Sequence, residues 1–333
     1  MLKSPSNAAH KQQGFSLVEI MVGMIIGMLG IIIIMQVTSV FEARKRTTSS
    51  GDDAQNGGAI SLSSLQRDLA QAGYGFSSRL LVGSSLVTPF VTLNPLMPVT
   101  LNPATLAAIG DTGSDKLMLM YGNSNNVEGS WITNSTATLP YQVALGAGTG
   151  GITDGGKGFN VGDWVIPNQS GVTNPNNLYQ VVANAASNVV AVTGAPPSLV
   201  YVPTNPAVPI LFNLGLTPSL LVYGVINRSL SVCDYFRNDC TNTANWSQLA
   251  GDVYALRAVC ASATSVRIAL VTRNAQYDPA VVTTANPTWN GNVAIVTTPA
   301  TAWGANWNHY RYKIFESVVP VRNAIWSGVQ GCA

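Results

Sequence analysis

The chain is poor in charge. Charged residues make up 10% of its 333 positions, and the formal net charge is +2. Lys3 and Lys11 account for two of the 17 basic residues; beyond them, 15 basic residues face 15 acidic ones. A formally neutral body excludes broad electrostatic binding of nucleic acid, which needs basic patches to displace counterions. Histidine is nearly absent, with only His10 and His309. That excludes histidine-based metal clusters and leaves a lone imidazole with no recognisable nucleophile motif beside it. Cysteine is missing from the first two-thirds of the chain, which has only Cys233, Cys240, Cys260 and Cys332. None has a CxxC or Cys/His metal spacing, so neither a metal nor another cofactor is expected. The chain lacks a clean internal repeat, and no second apolar run reaches membrane length.

What is present begins with Gly14-Phe15-Ser16-Leu17-Val18-Glu19, followed by an uncharged apolar run from Ile20 to Val40. Spanning a bilayer takes about 20 residues, so this run is long enough. A carboxylate in an apolar helix costs about 2.5–3.5 kcal/mol near the bilayer centre and less near its edge. Glu19 therefore needs a reason to be there. An ordinary secretory signal fits worse, because the run exceeds an h-region of about 7–15 residues. The bland alternative is an N-terminal anchor helix with a stray glutamate.

The string KQQGFSLVEIMVGMIIGMLGIIII resembles the class III signal of type IV pilins and their relatives. The resemblance implies that residues 1–14 are a prepilin leader. A prepilin peptidase/methyltransferase would cut it on the cytoplasmic side, between Gly14 and Phe15, and N-methylate Phe15. Glu19, the fifth mature residue, would pair with the N-terminal amine of a neighbouring subunit during assembly. Arg44-Lys45-Arg46 after the apolar run compete with Lys3 and Lys11. Counted literally, the positive-inside rule slightly favours the opposite orientation. The lack of a second span, the cysteines and a leader read from the cytoplasm outweigh it. The expected place is the bacterial inner membrane, crossed once with the head in the periplasm, and then the pilus at the cell surface.

Residues 15–40 read as the transmembrane and assembly half of one long helix, about 39 Å at 1.5 Å per residue. Gly23, Gly27 and Gly30 fit close helix packing and equally fit ordinary glycine tolerance in membrane helices. Residues 41–73 read as the amphipathic half. Thr47 to Gly58 is weakly helical, then Leu62, Leu65 and Leu69 form a stripe, with Arg67 and Asp68 pointing elsewhere and Gly73 as the stop. Residues 74–333 read as a β-rich head. Strands are expected at 115–121, 163–166, 179–183, 189–192 and 265–272, and Asn290-Gly291 is a hairpin signal. The proline-rich stretches 86–110 and 194–220 read as surface loops. The fold class is α+β, a long N-terminal α-helix packed on an antiparallel β-sheet head. Four cysteines allow three pairings. Their spacing favours a small Cys233–Cys240 loop, leaving Cys260 and Cys332 to tie the C-terminus to a central strand.

Gly251-Asp252-Val253 with Leu256, Ser265 to Val271, and Tyr310-Arg311-Tyr312-Lys313 running into Phe315 to Asn323 resemble the PilW group of minor pilins. So do Leu65-Gln66-Arg67-Asp68-Leu69, Ala72-Gly73-Tyr74, Gly162-Asp163-Trp164-Val165-Ile166 and Leu178-Tyr179-Gln180-Val181. Members often carry a cysteine just after the strand at 163–166, where this chain has Asn168-Gln169, so no disulfide is carried over. The stretches 86–110 and 194–245 match nothing in that group. The resemblance implies a pilin-like, non-enzymatic minor pilin. It would help prime type IV pilus assembly near the tip and support twitching, adhesion or DNA uptake. Its partners would be the major pilin, other minor pilins and a tip adhesin, with inner-membrane lipid before assembly. Type II secretion pseudopilins share the leader and helix; the C-terminal resemblance favours the pilus. A membrane-anchored surface binding protein or enzyme would instead keep its leader uncut and act through its head alone.

Three other features are weighed against simpler readings. Gly151-Ile152-Thr153-Asp154-Gly155-Gly156-Lys157-Gly158 is one residue short of a P-loop, because Gly158 stands where Ser or Thr would hold magnesium. Asp111, Gly113 and Asp115 are part of a calcium-loop pattern without its terminal glutamate, and a turn is the simpler reading. Trp289, Trp303, Trp307 and Trp326, with His309 among them, read as core packing before they read as a ligand surface.

Overall fold

The computed structural model describes residues 16–124, 130–136, 142–146, 158–168, 176–186, 188–197, 199 and 209–333. The chain divides into two units, residues 1–51 and 52–333.

Helix α1 runs from Leu17 to Gln71. From Ile20 to Phe41 it is uncharged and apolar on all sides. The stretch Leu17–Glu42, 26 residues, is long and apolar enough to cross a membrane. Side chains such as Met24, Met28 and Met35 are exposed. A helix with no polar face has a second apolar phase to enter, lipid or a bundle of like helices. In the second unit the pattern changes. Ala54, Gly58, Ser61, Leu65, Asp68 and Ala72 are buried, at spacings of three and four that select one face, with Leu69 buried beside them. Asp68 was expected to point away from the stripe. The structure corrects this, because position 68 lies three residues from Leu65 and four from Ala72. Gly73 ends the helix in the left-handed region, with φ 84°, and its N–H donates to the Met120 carbonyl at 2.8 Å. Glycine reaches that conformation without a Cβ penalty.

Nineteen strands follow among the described residues. The first are β1 (Leu86–Val87), β2 (Thr92–Leu93), β3 (Val99–Leu101) and β4 (Leu117–Tyr121). Then come β5 (Ser130–Thr136), β6 (Gln142–Leu145), β7 (Trp164–Asn168), β8 (Asn176–Asn177), β9 (Tyr179–Ala186), β10 (Val189–Val192) and β11 (Ile210–Gly215). The last group is β12 (Ser219–Ile226), β13 (Ser229–Asp234), β14 (Ser247–Ala250), β15 (Val253–Ser262), β16 (Ser265–Arg273), β17 (Thr288–Trp289), β18 (Val293–Ala294) and β19 (Tyr312–Pro320). Two short helices, α2 (Pro299–Trp303) and α3 (Arg322–Ser327), flank β19 in sequence.

The head is several sheets rather than one. A five-stranded sheet has the order β14-β13-β12-β4-β3, and a three-stranded sheet the order β15-β16-β19. Six strands close a barrel in the order β10-β6-β5-β11-β7-β9. That barrel is inserted between β4 and β12, which pair directly with Tyr121 opposite Ser219. The remaining pairs are β2-β1-β8 and the β17-β18 hairpin, joined through Asn290 and Gly291 at positive φ. Pairing between these strands is antiparallel except for β1 with β8, and the isolated bridge between Val99 and Cys332 is also parallel.

Both faces of the five-stranded sheet are covered, which is why β4 reads as an unbroken apolar run. Leu117 and Leu119 join Leu65, Leu69, Val225 and Leu230 under α1. Met118 and Met120 point the other way, to Phe76, Leu86, Leu96 and Val222. The barrel is a filled core, with Ile132, Val143, Leu145, Val165 and Val190 inside. The three-stranded sheet presents Leu256, Ile268 and Leu270 to the α1 cluster. Its other face, at Ala269 and Val271, is covered by Trp289, Ile295 and Trp303.

The proline-rich stretches are not surface loops throughout, contrary to expectation. Leu86, Leu93, Leu96, Val99 and Leu106 are buried, and Ile210–Gly215 is a barrel strand. Prolines interrupt the apolar pattern there without interrupting the core. The Pro98 carbonyl accepts from Met120 N–H at 3.0 Å, and a missing N–H at the start of a short strand removes no ladder bond.

Candidate functional site

Gly14 and Phe15 lie outside the described residues. Glu19 stands in the first turn of α1 and is exposed. An acid there is favoured by the helix dipole by about 0.3–1 kcal/mol. That is smaller than the cost of a carboxylate deep in an apolar phase, so the dipole alone does not account for it.

The second half of α1 is fastened from β19 and α3. Lys313 Nζ donates to Gln55 Oε1 at 2.5 Å, and Gln66 Nε2 to Ser317 Oγ at 2.7 Å. The Phe315 ring packs against the Gly58 backbone, where an added Cβ would overlap it. Asn323 Nδ2 donates to the carbonyls of Gln71 and Ala72 at 3.1 Å each, pairing groups that a helix end leaves unsatisfied. Inside this face the Tyr223 hydroxyl donates to Asp68, and Arg67 Nε lies 3.4 Å from the same carboxylate. Burial first, then the bond to Asp68, push the Tyr223 hydroxyl far above the ordinary phenol range. The proton stays on the tyrosine, and the buried carboxylate keeps its donor. Sequence reading missed this pair; the spacing 65, 68, 69, 72 was the available signal.

The cysteines form two disulfides. Cys233 and Cys240 are bonded seven residues apart, and Cys260 and Cys332 are bonded 72 apart. This is the pairing that their spacing favours. Cys260 lies on β15, an outer strand rather than the expected central one. Beside Cys332, Gly331 and Ala333 exchange backbone bonds with Val99 at 3.0 Å. The bridge thus stitches the three-stranded sheet to β3 of the five-stranded one.

The weaker motifs resolve into structure. Residues 151–157 lie outside the described residues, and the Gly158 carbonyl accepts from Asn213 Nδ2 at 2.7 Å. Asp111 accepts from the N–H groups of Asn227 and Arg228 at 2.9 and 2.7 Å, holding the β12–β13 turn. Asp115 accepts from Asn102, Arg257 and the Ala258 N–H. Among the described residues no group of His, Cys, Asp or Glu is arranged to hold a metal. Trp289 and Trp303 are core, whereas Trp326 is 82% exposed, against the core reading. His309 stacks on Tyr277 with centroids 5.0 Å apart, its Nδ1 2.8 Å from the Asp278 carbonyl.

No curated protein and no solved structure matches the chain. Two family models do. The prokaryotic N-terminal methylation motif covers residues 9–35, across the apolar helix start and Glu19. The other covers residues 220–323, from β12 through β19 into the start of α3, and includes Lys313, Phe315, Ser317 and Asn323, which hold the second half of α1. The chain therefore carries a prokaryotic N-terminal methylation motif and, over residues 220–323, a region matching type IV pilus-assembly protein W, and the two together support a type IV pilus-related pilin role.

Proposed function

We propose that this chain is a minor pilin, cut between Gly14 and Phe15 and N-methylated at Phe15. It is then held in the inner membrane by residues 15–40, with the head of residues 74–333 in the periplasm and residues 41–73 joining the two. The fold on this reading is pilin-like, with the second half of α1 laid on the β sheets. During assembly the apolar helix leaves lipid for a bundle of like helices near the pilus tip. Apolar surface stays buried throughout, so the transfer is cheap. Glu19 then meets the N-terminal amine of a neighbouring subunit, which restrains register because an unpaired buried charge is costly. Other pilins, a tip adhesin and the prepilin peptidase are the partners, and twitching, adhesion or DNA uptake the process served.

The observation that carries this reading is Glu19, the one charge between Phe15 and Phe41, at the start of an otherwise apolar, exposed helix. The test is mass spectrometry of sheared surface fibres beside the membrane pool. The expected chain begins with N-methyl-Phe15. Glu19→Ala should be processed and membrane-held but depleted from fibres. A retained Met1 in cells with active peptidase, or equal fibre entry by Glu19→Ala, overturns the reading.

A further inference from the structure

The two edges of the three-stranded sheet are treated differently. The outer edge of β15 is occupied: Asp115 N–H donates to the Leu256 carbonyl at 2.7 Å, Leu256 N–H to Ser114 Oγ at 3.0 Å, and Ala258 N–H to Asp115 Oδ2 at 2.9 Å. The outer edge of β19 has no backbone partner among the described residues; the strand pairs with β16 alone.

Register tells which groups face outward. At the two ends of the ladder, Val321 N–H donates to the Thr264 carbonyl and Asn274 N–H to the Arg311 carbonyl. Residues 321 and 311 therefore belong to hydrogen-bonded pairs, and antiparallel pairs alternate. The odd residues of β19 turn their N–H and C=O toward β16. Tyr312, Ile314, Glu316 and Val318 turn theirs outward. Ile314 and Val318 are also exposed, at 37% and 46%. On the opposite face, Lys313 has only the Gln55 amide oxygen as its partner among the described contacts.

We infer that β19 is a docking edge that takes an extended segment of another pilin-type subunit as a fourth strand; this rests on the pilin reading above. Alternating free donors and acceptors along a strand edge fit the backbone of another strand and little else. The segment that fits has apolar side chains opposite Ile314 and Val318 and an acid within reach of Lys313. A second copy pairing through its own β19 does not supply that acid. Antiparallel pairing of two β19 edges sets odd residues opposite odd ones, and these are Lys313, Phe315, Ser317 and Val319. Glu316 lies on the other face, bound to Arg267 at 2.6 Å.

The test uses full-length protein in piliated cells, with a photo-crosslinking phenylalanine analogue at Ile314 and, as control, at exposed Tyr277. The expected adduct at Ile314 joins a chain with its own prepilin leader, and the crosslinked peptide maps to a strand segment. Val318→Pro removes an outward N–H and leaves the β16 ladder intact, so the Cys260–Cys332 disulfide should still form. It should cut the adduct about tenfold, as loss of one well-made edge bond would. Lys313→Glu should weaken the adduct and Lys313→Arg keep it. No adduct, an adduct only with another copy of this chain, or an adduct unchanged by Val318→Pro overturns the inference while processed Phe15 termini in the same cells keep the pilin reading. Uncut Met1 termini overturn both.

Discussion

The two halves of α1 are written in different chemistry. From Leu17 to Phe41 the apolar side chains point in every direction and are exposed. From Ala54 to Leu69 the buried ones, Ala54, Leu65 and Leu69, keep to one face, and Ile60 points away from it. Apart from Gly57, which also meets nothing, the helix glycines show the same contrast. An added Cβ meets nothing within 4 Å at Gly23, Gly27 or Gly30, but would overlap Phe315 at Gly58. A helix whose partner is a fluid phase or a ring of like helices needs apolar character on all sides. A helix whose partner is a particular sheet needs the right residue at each contact.

Paired substitutions sharpen that contrast, and the largest effect belongs to the stripe. Leu69→Ala, fully buried among Leu65, Leu117 and Leu256, should cost about 2–5 kcal/mol. Ile32→Ala should leave the unfolding of residues 52–333 unchanged. Denaturant unfolding of the full chain in detergent reads both, and equal losses would erase the distinction.

A smaller effect is expected from the glycines. Gly58→Ala forces Phe315 away at about 1–3 kcal/mol, offset by about 1 kcal/mol of improved helix propensity. Gly27→Ala should cost the second unit nothing. A Gly58→Ala protein more stable than wild type would show that the helix does not need its close approach to β19.

The gentlest handle is alkaline pH, which reaches the second unit through its buried phenols. Burial pushes the Tyr312 hydroxyl up to about 12 from an ordinary 10.0, with Arg273 beside it opposing the shift. Between those values the unfolded chain has released the proton and the folded chain still holds it. Tyr312 therefore contributes no pH dependence below about pH 10 and a loss of stability as pH rises from 10 to 12. Tyr312→Phe should lose stability less steeply across that window. A slope identical to wild type would place the alkaline loss at other phenols, such as Tyr254, whose hydroxyl burial also raises.

Local pattern made much of this molecule readable. The apolar run, the Gly14–Phe15 junction and Glu19 are properties of adjacent residues, and a membrane-length helix follows from composition alone. Strands at 117–121, 164–168, 189–192 and 265–273 were legible because β-rich apolar stretches stood between turns. The Leu65 and Leu69 stripe was legible for the same reason, since a period of 3.6 selects a face. Asn290-Gly291 carried its turn in its own backbone preferences.

What covers a face was not local. Tertiary structure alone decided that β4 is buried on both sides and that a closed barrel separates Tyr121 from its partner Ser219. It alone gave the inward Asp68 its partner, a tyrosine 155 positions away. The proline-rich 86–110 stretch enters the core because Leu86, Leu93, Leu96 and Leu106 pack with Met118 and Met120 on one face of β4. The open edge of β19 has the same origin. Its side-chain pattern shows a strand, but whether a strand lies inside a sheet or at its rim depends on which distant segments pair with it, and pairing is the one property that periodicity does not encode.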